Sequence, residues 1–240
     1  MNREELINVF LDTKSRVESG EYESELVSDL LNLSDVSRVD FDSLHSNISV
    51  VNADCIDISN TLSKSGKTCL LNMASYKRPG GGVRNGSMAQ EEELARRSNL
   101  VWGLPIEYYP LSESDFIYTE GVTFFKDRNY NIIDQFQCDV ITMAAVNLNG
   151  MDKPHNYKEI TESKIFNIID TPRKYGCKNL VLSALGCGVF KNDPYYIAST
   201  FKKFFDVGLN NYYNRIIFAI INDPNSVSSN YQIFKEVLEG

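Results

Sequence analysis

The sequence of 240 residues has only two histidines, His45 and His155, and neither lies in a catalytic or metal-binding motif. A Ser-His-Asp or Cys-His centre would have to use one of them. Because isolated histidines are usually solvated or structural, both are expected to be surface or loop residues. Any catalysis is therefore expected to depend on carboxylates.

Cysteine pairs are also missing, since none of the five cysteines belongs to a C-x-x-C motif and their number is odd. This pattern argues against a structural zinc site and against a disulfide framework. The cysteines are predicted to be reduced thiols in a cytoplasmic protein that needs no metal or other cofactor; they are Cys55, Cys69, Cys138, Cys177 and Cys187.

Long apolar runs and excess positive charge are absent as well. The N-terminal residues are acidic where a signal peptide would be apolar, and no stretch reaches the roughly 18 apolar residues of a membrane span. The net charge of −8 argues against direct DNA binding and against binding to anionic membranes. A soluble intracellular protein is expected, and a monomer.

The hydrophobic content of 42% is enough for one well-packed unit. An N-terminal helical extension, residues 1–46, is predicted to pack on a catalytic domain at 47–240. Its first helix is predicted at 3–18 and a possible short helix at 26–33. Residues 103–137 are predicted to be an insertion with one short strand at 122–125.

Apolar strands alternate with helical patterns along the rest of the chain. This alternation predicts a three-layer α/β/α domain with a mixed, largely parallel sheet. Pro172 is expected to end or kink the helix at 157–175 near Asp170. The strands are predicted at 47–55, 68–73, 139–147, 179–184 and 215–223, and further helices at 194–207 and 231–238.

The stretch GGGVRNGSMAQEEE lies between the predicted strand at 68–73 and a helix predicted to begin at Ser87 through a capping box with Gln90. Glycine runs cost backbone entropy and carboxylate runs resist burial, so the stretch is expected to bind something close to the backbone. Open α/β sheets bind ligands at such strand-to-helix crossings. The candidate ligand-binding residues here are Gly80, Gly81, Gly82 and Gln90.

Glu91 and Glu92 lie in the first turns of that helix. Neighbours on a helix project about 100° apart, so one of the two is expected to do the proton work. The alternative is a solvated acidic first turn, which is common in helices.

A second glycine loop, GCGVF, follows the strand at 179–184 and precedes a helix. Successive backbone N–H groups in such a loop can bind a diphosphate, although an ordinary tight turn is the alternative. Cys187 has no neighbouring base and is expected to fill space. The candidate binding residues are Gly186, Cys187, Gly188, Val189 and Phe190.

Polar residues at two further strand ends could also contact a ligand. Asn72, Asn52 and Asp54 are candidates for contacts to ribose or adenine, and equally for caps of local structure. Arg78 and Arg84 flank the first glycines and could screen phosphates, although surface arginines are the usual case.

Two stretches carry a family resemblance: NMASYKRPGGG with Gln90-Glu91-Glu92, and LVLSALGCGVFKNDP. The chain resembles the bacterial-type poly(ADP-ribose) glycohydrolases, whose catalytic domain is a macrodomain. The resemblance implies hydrolysis of ribose–ribose O-glycosidic bonds in poly(ADP-ribose) on modified proteins, from the chain end, with release of ADP-ribose. It also implies that Glu92 is the acid and base, that Glu91 positions ribose hydroxyls, and that Phe190 packs on the terminal ribose.

The chain departs from this pattern at Val146, Ser183, Leu185 and Pro172, none of which touches the acid pair. Two other functions remain open. An ADP-ribose-binding module without catalysis would need no acid, and a mono-ADP-ribosyl hydrolase would use the same pocket.

Overall fold

The computed structural model of the protein describes residues 1–34, 47–222 and 229–240. The chain divides into two compact units, one of Met1–Leu31 and Asn72–Ala144, the other of Asn32–Leu71 and Ala145–Gly240. The first helix belongs to the first unit. The domain boundary predicted after residue 46, like His45, falls outside the described residues, and that boundary stays a prediction.

The first unit contains two helices, three strands, of which two form an antiparallel pair, and three short 3-10 turns. Its helices are α1 (Arg3–Glu18) and α3 (Gln90–Arg97), its strands are β1 (Ser28–Asn32), β4 (Asp115–Lys126) and β5 (Ile132–Met143), and its turns are Val83–Asn85, Leu100–Gly103 and Ile106–Tyr108.

Helix α1 is well capped and well anchored within this unit. Asn2 accepts a hydrogen bond from the Glu5 N–H, and the Glu5 carboxylate accepts one from the Asn2 N–H, at 2.9 and 2.8 Å. The buried amine of Lys126 lies 2.7 Å from the Asp12 carboxylate. The apolar face of α1 packs inward through Leu6, Phe10 and Val17. The predicted helix at 3–18 is therefore confirmed.

The second unit contains the parallel strands and the remaining helices. Its elements are β2 (Asn47–Val51), α2 (Cys55–Ser63), β3 (Thr68–Met73), α4 (Tyr157–Lys174), β6 (Asn179–Leu182), α5 (Pro194–Asp206), β7 (Arg215–Ala219) and α6 (Asn230–Glu239), with β3 continuing into the first unit at Asn72. Aromatic side chains fill its core, where the Phe201 and Phe218 rings meet edge to face at 5.0 Å.

Seven strands form one hydrogen-bonded sheet in the order β1-β4-β5-β3-β6-β7-β2. The pairs β3/β6, β6/β7 and β2/β7 are parallel, whereas β4 and β5 are antiparallel. The predicted mixed, largely parallel sheet of an α/β fold is thus confirmed. Among the described residues, no helix is both long and apolar enough to cross a bilayer.

Two predictions in the weakly patterned segments are wrong. The possible helix at 26–33 is instead strand β1. The supposed insertion at 103–137 contains β4 and the first half of β5, and within it only 122–125 was predicted as strand. The outer part of β5 alternates between exposed and half-buried side chains, a pattern that lacks the continuous apolar run of a central strand. Strands β5 and β7 also end earlier than predicted, at Met143 and Ala219.

The predicted start of α3 at Ser87 is wrong as well. The helix begins at Gln90, because the Glu92 carboxylate reaches back to the N–H of Ala89 at 2.9 Å. It ends at Arg97, and Leu100 lies in a separate 3-10 turn.

Pro172 does not end α4, which continues to Lys174. A proline cannot donate to the carbonyl four residues earlier, here Ile168. The Tyr213 hydroxyl donates to the carbonyl of the next residue, Ile169. This hydrogen bond from outside the helix stabilises the last turn, which lacks the bond that proline cannot make.

Candidate active site

Gln90, the first residue of α3, fixes the helix to the end of β3. Its side-chain oxygen accepts a hydrogen bond from the Met73 N–H at 2.8 Å. Since Met73 is the last residue of that strand, this bond sets where the helix begins relative to the strand. The side chain predicted to bind ligand has a structural contact of its own.

Glu92 binds two backbone donors. Its Oε1 accepts from the Gly82 N–H at 2.7 Å and its Oε2 from the Ala89 N–H at 2.9 Å. Only 7% of the residue is exposed, so the carboxylate is almost wholly enclosed by the loop that it organises.

Glu91 is buried to a similar degree, with 3% exposed, but it has a different environment. Its Oε2 accepts from the Ser75 N–H at 2.7 Å. Burial raises the pKa of Glu91 to about 8, the Ser75 N–H opposes the shift, and the negative charge of Glu92 adds to it. Glu91 is therefore the member of the pair that holds a proton at neutral pH.

The two carboxylates converge on Gly81 in spite of their angular separation on the helix. A Cβ at Gly81 would lie 2.5 Å from Glu92 Oε1 and 2.7 Å from Glu91 Oε2, and the residue has a φ of +55°. Only glycine fits both the conformation and the space. The acidic first turn is thus buried against the glycine loop, so the alternative of a solvated first turn is wrong.

Three buried polar atoms adjoin this pair without a hydrogen-bond partner within the described residues. They are Glu91 Oε1, Asn72 Oδ1 and the Tyr109 hydroxyl. Burial, together with the charge of Glu91, raises the pKa of Tyr109. Asn72 is fully buried and donates to Thr142 Oγ1 at 3.2 Å. Buried polar atoms of this kind normally have partners, so the cluster is suited to a ligand with hydroxyl groups.

The second glycine loop lies in the other unit and also has unused donors. The amide N–H groups of Gly188, Val189 and Phe190 donate to no described residue. Three consecutive free amides are an anion-binding arrangement. Gly186 has a φ of +70°, and a Cβ there would lie 2.5 Å from Ala145 Cβ, so this turn also needs glycine.

Cys187 lacks the environment of a nucleophile. Burial raises the pKa of its thiol to about 12, and the charge of Asp193 adds to this. The thiol is therefore protonated at neutral pH, which supports its predicted role as a small filler.

The remaining candidates have local roles. Asp54 caps α2 by accepting from the Ile56 N–H at 2.9 Å, and Asn52 accepts from the Asn222 N–H at 2.9 Å. These bonds favour the capping alternative for both. His155 is exposed, as predicted, and no group of three or more metal-ligand side chains occurs in the described part of the chain.

Comparisons with known proteins agree with this geometry. The family model of the microbial-type PARG catalytic domain matches residues 12–127, which include the whole glycine and acid stretch. PARG stands for poly(ADP-ribose) glycohydrolase. In this stretch the chain is similar to the microbial-type PARG family.

Solved PARG structures share its fold along nearly the whole chain. The enzyme from Thermomonospora curvata is 22% identical, with a TM-score of 0.85 over 98% of this chain and 100% of that one. The Deinococcus radiodurans enzyme in complex with ADP-ribose is 25% identical, with a TM-score of 0.73 over 82% of this chain and 86% of that one. No curated protein matches the chain.

Sequence reasoning missed two residues of this site. Ser75 supplies the N–H that holds Glu91, and Tyr109 places a buried hydroxyl beside it. Tyr109 lies in the stretch LPIEYYP, for which the sequence pattern predicts only an insertion. A tyrosine between prolines carries no motif, so only the fold could place it at the site.

Proposed function

We propose that the protein is a poly(ADP-ribose) glycohydrolase that hydrolyses ribose–ribose O-glycosidic bonds from the chain end and releases ADP-ribose. The observation that carries this proposal is the buried acid pair against Gly81, in a chain that is similar to the PARG family. A module that only binds ADP-ribose gains nothing from two adjacent buried carboxylates, which are costly to keep.

The proposed reaction uses Glu92 as acid and base. In the substrate complex Glu92 carries a proton taken up from solvent and gives it to the departing ribose oxygen, which keeps the electron pair of the broken C1–O bond and leaves an oxocarbenium-like ribose. A water molecule then attacks C1 and returns its proton to the carboxylate. The ionised Glu92 faces this positive charge, which it stabilises electrostatically.

Glu91 has the complementary role in this proposal. With Oε2 occupied by the Ser75 N–H, the protonated Oε1 can donate to a ribose hydroxyl. Glu91 holds this proton at neutral pH before substrate binds. The loop of Gly186, Cys187, Gly188, Val189 and Phe190 is proposed to bind the diphosphate, with Phe190 against the terminal ribose.

The proposed partners are ADP-ribosylated proteins, met by a monomer in the cytoplasm. The five free thiols support a reducing compartment. Polymer and protein are both negatively charged, and the three free loop amides are proposed to bind the phosphates locally.

The decisive test is incubation with poly(ADP-ribose) and, separately, with a mono-ADP-ribosylated protein. We expect release of free ADP-ribose from the polymer and not from the mono-ADP-ribosylated protein. Release only from the mono-modified protein would favour a mono-ADP-ribosyl hydrolase, and release from neither substrate, with binding intact, would favour a binding module.

A further inference from the structure

A cavity of about 560 Å³ in the first unit is separate from the acid pair. It lies among α1, the residues just before the glycines, and the segment 101–106. It includes neither the acids nor the residues of the two glycine loops, but it includes Arg78 and Arg84, which were candidates for screening phosphates. The lining residues are Phe10, Lys14, Glu18, Arg78, Pro79, Arg84, Val101, Trp102, Leu104, Pro105 and Ile106.

The cavity has excess positive charge in a chain whose net charge is −8. Lys14 and Glu18 pair with each other at 3.7 Å. Neither Arg78 nor Arg84 forms a salt bridge with any described acid. Two guanidinium groups without carboxylate partners form a binding arrangement suited to phosphate oxygens, because their forked donors match that geometry.

An aromatic surface adjoins these charges. Trp102, the only tryptophan of the chain, lines the cavity and packs on the buried cluster of Phe10, Val83, Ala95 and Val101. The guanidinium of Arg84 lies 5.4 Å from the centre of the Phe10 ring, which restrains it beside the same cluster. A half-buried indole with phosphate-binding groups nearby suits the stacked base of a nucleotide.

Two consecutive residues of the glycine loop lie next to the cavity wall and next to the acids, respectively. A Cβ at Gly80 would lie 3.0 Å from the cavity-lining Val101, and one at Gly81 would lie 2.5 Å from Glu92 Oε1. Consecutive residues therefore contact the cavity wall and the acid pair.

We propose that this cavity binds an adenine nucleotide unit of the polymer adjacent to the unit being cleaved. Arg78 and Arg84 hold its diphosphate and Trp102 stacks on its base. This inference rests on the proposed function, since it takes the polymer as the substrate.

The test uses Trp102 as a reporter, because its fluorescence is the only tryptophan signal. Titration with ADP-ribose or with poly(ADP-ribose) is expected to change the emission saturably, and with higher affinity for the polymer. The double variant Arg78→Gln/Arg84→Gln should weaken that response about tenfold or more, since bonds to charged groups are lost. It should raise the KM for polymer by a similar factor, with a smaller effect on kcat.

Arg128→Gln is the matched control, because Arg128 is an exposed arginine of the same unit that does not line the cavity. It should behave as wild type. Ile106→Glu, at a residue 68% exposed, adds a negative charge with little risk to folding and should weaken the response independently. Unchanged emission and unchanged KM in both cavity variants would overturn the inference.

The outcomes for the two proposals are distinguishable. If wild type cleaves polymer but the cavity variants have normal KM and emission, the cavity inference fails and the proposed function stands. If wild type cleaves no polymer, the proposed function fails, and the cavity inference fails with it because its substrate is lost.

Discussion

At the scale of single residues, the two neighbouring glutamates differ in their hydrogen-bond partners. Glu92 is satisfied by the backbone at both oxygens, whereas Glu91 keeps one oxygen without a partner in the described chain. Environment, and not residue type, separates their proposed roles.

The proposed roles predict unequal losses on amide substitution. Glu92→Gln cannot carry a catalytic proton, so polymer hydrolysis should fall toward the upper end of the roughly 10²–10⁴-fold contribution of acid–base catalysis. ADP-ribose affinity should stay within about tenfold. Glu91→Gln should lose less activity, because an amide can still donate to ribose. Wild-type turnover in Glu92→Gln would falsify the assignment; Glu113→Gln, an exposed acid, is the control.

The raised pKa of Glu91 predicts a pH-dependent stability. The folded state keeps a proton that the unfolded chain loses above about 4.5, so this contribution is complete below that pH and is lost as pH rises through about 8. The loss should be on the order of 5 kcal/mol. Urea unfolding of wild type and Glu91→Gln across this window measures it, and equal slopes for both proteins would contradict it.

Tyr109 predicts an unusual combination of effects. Tyr109→Phe removes a buried hydroxyl that has no partner among the described residues, so stability should stay equal or rise slightly. If that hydroxyl binds substrate beside Glu91, kcat/KM should nevertheless fall about tenfold. Thermal unfolding and polymer turnover, measured on the same preparation, test this. A variant that is less stable and fully active would show a purely structural role.

At the scale of elements, the sequence was informative wherever a local rule matched the local contacts. Helix α5 begins at Pro194, as predicted, because proline suits a first turn and Asp193 caps it by accepting from the Tyr195 N–H at 3.0 Å. Strand β3 was predicted from its continuous apolar run, and it is buried along nearly its whole length.

Other elements depended on contacts that no local pattern carries. Ala89 precedes α3 and has no side-chain oxygen that could cap the helix. The start of α3 is set instead by Glu92, whose carboxylate accepts from the Ala89 N–H. The glycine, acid and amide residues of the site could be named from the sequence. Their partners, Ser75 and Tyr109, come from the fold.

The second glycine loop predicts that binding and folding are separable at Phe190. The side chain is half-buried and the loop amides beside it are free in the described structure. Phe190→Ala should weaken ADP-ribose binding about tenfold, as loss of stacking typically does. Its unfolding midpoint should match that of Tyr195→Ala, an exposed control nearby. A large loss of unliganded stability would make Phe190 a core residue instead.

At the scale of the whole molecule, the acids belong to the first unit and the free loop amides to the second. The free amides are suited to a diphosphate, which neither AMP nor ribose carries.

The free loop amides predict which ligands stabilise the protein. ADP-ribose at about 100 times its Kd should add about 3 kcal/mol, or about 5–10 °C in Tm for a chain of this length. AMP and ribose at the same concentration should shift Tm much less. Thermal unfolding with each ligand is the measurement, and three equal shifts would remove the argument for diphosphate recognition.

The bonds from Gln90, Glu91 and Glu92 to the backbone bear on how such a site can be dissected and reused. Gln90 accepts from the Met73 N–H and Glu91 from the Ser75 N–H. Glu92 accepts from the N–H groups of Gly82 and Ala89. An alanine scan would therefore dismantle the loop while appearing to map its chemistry. An affinity reagent made from this protein to capture polymer should instead keep an oxygen at every one of these positions.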